Sequence, residues 1–80
     1  MSKYILDLQV EEKQSSIDLM DLFPDITEEE AKDVHEVIVV GQVNINSKSN
    51  RVKDFVSRVE SYTLDWLFNT SDFTWTINKE

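Results

Sequence analysis

Between residues 51 and 68 the apolar positions recur at helical spacing. Val52, Phe55, Val56, Val59, Tyr62, Thr63, Trp66 and Leu67 fall within an arc of roughly 140° when successive residues are turned by about 100°. This stripe predicts a long amphipathic helix over about 50–67 that faces a core, with Asp54, Arg58, Ser61 and Asp65 on its far side. Asp54 and Arg58 stand one turn apart in the stabilising order, and Ser49 or Asn50 supplies an oxygen to cap the first turn. Leu64 and Phe68 fall outside the stripe. They are either covered by the last strand or exposed as a secondary interface.

At the start of the chain Tyr4, Leu6, Leu8 and Val10 alternate with Ile5, Asp7 and Gln9, which predicts a strand over 3–10 with one face buried. Ile17, Leu19, Met20, Leu22 and Phe23 follow neither a clean alternation nor a narrow helical stripe. Segment 16–23 is read as a short helix capped by Ser15 or Ser16, with a hairpin partner for the first strand as the alternative. Either element stops before Pro24, which pushes Phe23 out of the helical region. Thr27 and Glu30 form a capping box, and Ile26 is placed to staple onto Ala31, so a helix is expected over about 27–35. Gly41 suits the left-handed end of a longer helix. Residues 37–40, however, are a β-branched run, and 36–46 is therefore expected as the second strand, with Gly41 at a bulge or a close approach. Turn-forming residues fill 46–50 and 69–72. Phe73, Trp75 and Ile77 then alternate with Thr74, Thr76 and Asn78 to predict a third strand over 72–78. The expected fold is a single α+β domain spanning 1–80. It has a three-stranded sheet (about 3–10, 36–46 and 72–78) packed by the long helix, with one or two short helices (about 16–23 and 27–35) between the first two strands.

Composition changes this picture mainly through what it excludes. Eighty residues without a cysteine make one small domain with little interior, no disulfide framework and no thiolate, so function is expected on the outer surface. No segment has the pattern of a signal peptide or the length of a membrane span, and a soluble cytoplasmic protein is expected. His35 is the only histidine and Gly41 the only glycine. A histidine-assisted nucleophile and a glycine-rich phosphate loop both lack their parts, and Asp18, Asp21, Asp25 and Glu28 to Glu30 lack the spacing of a calcium loop. No enzymatic activity, cofactor or metal is expected.

The net charge of −8 is unevenly placed. Residues 1–36 hold eleven carboxylates against three lysines, whereas residues 37–80 hold five of each sign. Within the second half Lys48, Arg51, Lys53 and Arg58 cluster around the single Asp54. Such a field disfavours direct contact with nucleic acid or an anionic membrane and favours a basic partner. Eight of the acids lie in the nineteen residues from Asp18 to Glu36. Glu29, Asp33 and Glu36 follow one another by a turn, roughly 5 to 6 Å apart, a spacing similar to the phosphate repeat of a nucleic-acid strand. This surface is a solvated helix face, a protein-binding face, or a nucleic-acid mimic. In 18–23 acids are interleaved with Leu19, Met20, Leu22 and Phe23, as in segments that dock into a groove, but so small a core is expected to keep Leu19, Leu22 and Phe23.

The function expected from the sequence is that of a small acidic protein-binding module, an inhibitor of a basic protein. Small acidic inhibitors of viruses and mobile elements, nucleic-acid mimics among them, are similar in size and charge. The expected partner-binding residues are Asp21, Asp25, Glu29, Asp33 and Glu36. The alternative is a subunit that self-associates, acidic half against basic cluster, with Leu64 and Phe68 in the interface.

Overall fold

The alternation at the start of the chain builds the middle of the sheet. In a computed structural model that describes residues 3–66 and 72–80, strand β1 (Tyr4–Val10) lies between β2 (Lys13–Asp18) and β3 (Phe73–Lys79), antiparallel to both. Directly opposed residues share a face, and the register sets Leu6 between Ile17 and Ile77, and Leu8 between Ser15 and Trp75. Tyr4, Leu6, Leu8 and Ile77 are buried as a result. The opposite face is polar. At its centre the Asp7 carboxylate accepts hydrogen bonds from Ser16 Oγ and Asn78 Nδ2, one from each outer strand. The β1–β2 turn puts Glu11 at a φ of 55°, and its amide donates to the Asp72 carbonyl at 2.9 Å.

The α+β class, the three-stranded sheet and the long helix are as the sequence predicts, but the sheet recruits a different middle segment. Segment 16–23 divides: its first residues finish β2, and Leu19–Leu22 form a single helical turn, α1, whose Met20 amide donates to Asp18 Oδ1 at 2.9 Å. Residues 36–46 are no strand. After α2 (Glu28–His35) the chain continues as a wide π turn over Glu36–Val40, which Gly41 ends at a φ of 70° with its amide donating to the Glu36 carbonyl at 2.9 Å. Both edges of β1 are already taken, and a hairpin with a two-residue turn closes at a smaller entropy cost than pairing with a segment some thirty residues away. Continuation of the helix also carries Val37 and Ile38 onto the core that Ala31 and Val34 already face.

A short 3₁₀ turn (Ile45–Ser47) leads to α3 (Asn50–Trp66). Ser49 Oγ accepts from the Val52 amide at 3.3 Å and so caps it. Val52, Phe55, Val56, Val59 and Thr63 are buried along one side, as the stripe predicts. Thr63 meets its polar requirement locally by donating from Oγ1 to the Glu60 carbonyl at 2.8 Å. Among the described residues no helix is long and apolar enough to cross a membrane.

Gly41 separates the helical from the strand reading of 36–46 experimentally. Nothing lies within 4 Å of where a Cβ would sit, so the cost of a side chain there is conformational only. Gly41→Val is expected to lower the stability to chemical unfolding by about 1–2 kcal/mol, with Gly41→Asn costing less. In a strand the valine would be neutral or stabilising.

Candidate protein-binding surface

The acidic segment and the basic cluster, distant in sequence, meet because α2 and α3 pack against each other with their N-terminal ends adjacent. Thr27 caps α2: its Oγ1 accepts from the Glu30 amide at 3.1 Å, and Glu30 Oε1 accepts from the Thr27 amide at 3.0 Å. This is the capping box read from the sequence. The same carboxylate then reaches the first turn of α3, where Arg51 Nε donates to Glu30 Oε2 at 2.7 Å and Arg51 Nη2 to the Asp25 carbonyl at 3.0 Å. Ile26 and Ala31, the two ends of the expected staple, are both buried.

Three of the four cations of the basic cluster are engaged within the chain. Lys48 Nζ lies 3.0 Å from Asp33 Oδ1 and 3.7 Å from Glu36 Oε2, Arg51 holds Glu30, and Arg58 sits 2.9 Å from Asp54 and 3.9 Å from Asp25. Arg51 and Arg58 also lie over the buried Phe55 ring, 5.3 and 5.2 Å from its centroid, with Phe23 at 5.6 Å. The guanidinium groups thus cover an apolar ring while keeping their carboxylate partners. Lys48 is held more firmly protonated than an ordinary lysine, chiefly by its hydrogen bond to Asp33.

The five expected partner-binding residues are not equivalent in this arrangement. Asp21 in α1 and Glu29 in α2 are exposed, as is Asp25 in the turn between them. Glu29 borders a shallow polar hollow of about 210 Å³ lined also by Tyr4, Glu28, Lys32 and Lys79. Asp33 and Glu36 converge on Lys48, so the helical stripe begins with an exposed carboxylate and continues as a lysine-bridged pair. Of the secondary interface, Leu64 is 63% exposed on α3, and Phe68 lies outside the described residues. Leu19 is fully buried and Leu22 and Phe23 pack against the core, whereas Met20 stays exposed, so 18–23 serves mainly the interior. His35 packs its ring 5.3 Å from that of Tyr4. Among the described residues no group of three or more histidine, cysteine or carboxylate side chains converges as a metal site would.

The sequence reading missed the exposure of Val39 and Val40, 42% and 47% accessible at the end of the π turn, because it assigned them to a central strand. Gly41, already suited to a helix end, was the signal that pointed the other way. Comparison with protein-family models, curated proteins and solved structures finds no match, so the surface has to be interpreted from its own chemistry.

The Glu30 carboxyl is lowered from its usual 4.5 to about 2, first by the hydrogen bond from Arg51 and then by the Thr27 amide, against an opposing effect of burial. A carboxylate lowered on folding adds stability that is complete above its unfolded value and is lost as the pH falls through the folded one. Glu30→Gln keeps the capping box and removes the ion pair. It is expected to cost on the order of 1 kcal/mol at neutral pH, a figure kept small because Arg51 is more than half exposed. The difference from the original chain should shrink between pH 4.5 and about 2; denaturant unfolding across that range measures it.

Proposed function

We propose that the protein is a small non-enzymatic binding module that engages a basic protein partner through the acidic surface of residues 18–36, and that it acts as an inhibitor by occupying that partner's basic site. The observation that supports this reading is the charge left after internal pairing. Eight carboxylates of this segment face Lys32 within it and Lys48, Arg51 and Arg58 brought to it by the fold. The surface keeps an excess of negative charge, with Asp21, Asp25 and Glu29 open to solvent. A partner rich in lysine and arginine gains both faster encounter and correct orientation from such a surface. A partner that itself binds nucleic acid carries the kind of basic site that the exposed Asp21, Asp25 and Glu29, with the excess charge of the Lys48-bridged Asp33 and Glu36, would engage in place of phosphates, and mimicry of a nucleic acid is the form of inhibition we propose.

The test is a comparison of the original chain with an amide variant, Asp21→Asn, Asp25→Asn, Glu29→Gln, Asp33→Asn and Glu36→Gln, as immobilised baits in cell extract at low and moderate salt. A basic protein retained by the original and released by the variant, with affinity that falls as salt rises, is the expected result. Retention of the same proteins by both baits, or of none by either, would refute the reading.

A second reading, self-association, has the exposed Leu64 in its favour. Its electrostatic half has less to draw on, because Lys48, Arg51 and Arg58 are engaged within the chain. It predicts a dimer in sedimentation at low salt that dissociates on Leu64→Ser; a monomer at high concentration would dismiss it.

A further inference from the structure

The π turn that replaces the expected strand leaves an apolar patch at the end of the acidic helix. Val37, Ile38 and Ile45 pack against the core. Val39 and Val40 are 42% and 47% exposed, and Val43 is half-buried but belongs to neither the core nor its lining among the described residues. These three valines fall within five residues around the left-handed Gly41, at the end of the π turn and just beyond it. An isolated exposed aliphatic residue is ordinary. Three around one tight turn, in a domain with so little apolar material to spare, form a patch that a partner can cover.

The charges around the patch say what chemistry that partner has. Glu29, Asp33, Glu36 and Val40 succeed one another by a helical turn, so the carboxylate stripe runs up to the patch. The patch itself closes the C-terminal end of a helix, where the backbone carbonyls carry partial negative charge, and no basic residue lies in that last turn. Lys48 pairs with both Asp33 and Glu36, one cation against two carboxylates, so these two acids and the exposed Glu29 keep the approach to the patch negative. A second copy of the chain would bring a second carboxylate stripe and a second negative helix end against the first, in molecules that each carry −8.

We infer that Val39, Val40 and Val43 are the apolar anchor of the protein's partner-binding surface, and that the segment they receive is amphipathic, with one or more large apolar side chains flanked by lysine or arginine. This inference rests on the proposed acidic binding surface and adds a division of labour to it. The carboxylates set encounter rate and orientation, and the valines set residence time, as desolvated apolar contacts do at the centres of protein interfaces. The patch is an anchor and not a whole interface, which needs about 800 Å² per partner.

The experiment uses two synthetic peptides of equal positive charge: a helix-forming one with a leucine face and a lysine face, and its counterpart with every leucine replaced by serine. Each is titrated into the isotopically labelled full chain, with amide shifts recorded at low and high salt. The leucine peptide is expected to perturb residues 38–44 most and to retain measurable affinity at high salt, whereas the serine peptide gives weak shifts that salt abolishes. Val39→Thr with Val40→Thr, a nearly isosteric change at exposed positions, should leave the melting temperature unchanged. It should also weaken the leucine peptide about tenfold at high salt, mainly through faster dissociation. Largest shifts at Leu64, Met20 or the open sheet face, or no loss in the valine variant, would overturn the anchor while leaving the acidic surface standing. Unchanged binding of both peptides to the five-residue amide variant would overturn the acidic surface as well. Concentration-dependent shifts at Val39, Val40 and Val43 without peptide would assign the patch to a second copy and also overturn the inference.

Discussion

The Glu30 carboxylate is the point on which the arrangement of helices depends. One oxygen closes the capping box with the Thr27 amide, and Arg51 holds both, so the first turn of α2 and the first turn of α3 are fixed to each other through a single side chain. Arg51 extends the same junction to the Asp25 carbonyl and to the face of Phe55. An isolated exposed ion pair contributes little, but here the pair shares its carboxylate with a helix cap and its guanidinium with a buried aromatic ring. Cap, ion pair and core contact therefore meet at one pair of side chains, Glu30 and Arg51, and such neighbouring interactions are not additive.

That junction also explains how a chain with all its net charge in one half folds as one body. The sequence is bipolar, and folding brings the two poles together. Lys48 bridges Asp33 and Glu36, Arg51 holds Glu30, and Arg58 lies between Asp25 and Asp54. Pairing within the chain lowers the self-repulsion of the acidic half and still leaves it in excess. The remaining field belongs to Asp21, Asp25 and Glu29 more than to the regular stripe that helical spacing suggests.

Apolar material is distributed just as unevenly. Among the described residues twelve apolar side chains are buried in the core, drawn from α1, α2, α3, two of the three strands and, with Ile26, the loop before α2. The β-branched run after α2 contributes only Val37 and Ile38 to its lining. Val39 and Val40 remain outside because they occupy the other side of the same turn. A π turn, an acidic approach and an exposed apolar end thus coincide at one place on the molecule, and π turns are often found where a fold serves something other than its own stability.

The elements whose signal is local were legible without coordinates. These are the alternation of β1 and β3, the stripe of α3 with a cap at Ser49 or Asn50, and the Thr27–Glu30 capping box, together with the α+β class they imply, because periodicity and capping act over a turn or two. Leu64 lay outside the stripe in the sequence, which left it either covered by the last strand or exposed, and the fold leaves it exposed. The tertiary structure decided the rest. Residues 37–40 have strand chemistry and helical surroundings, and sequence periodicity over so short an apolar run cannot separate the two. The outcome depended on which segment occupied the second edge of β1, a competition that the nearby hairpin wins on loop entropy. Likewise, no spacing along the chain could reveal that Lys48 would pair with Asp33 and Glu36, since the partners of a charge are set by which helices pack together and not by its neighbours in sequence.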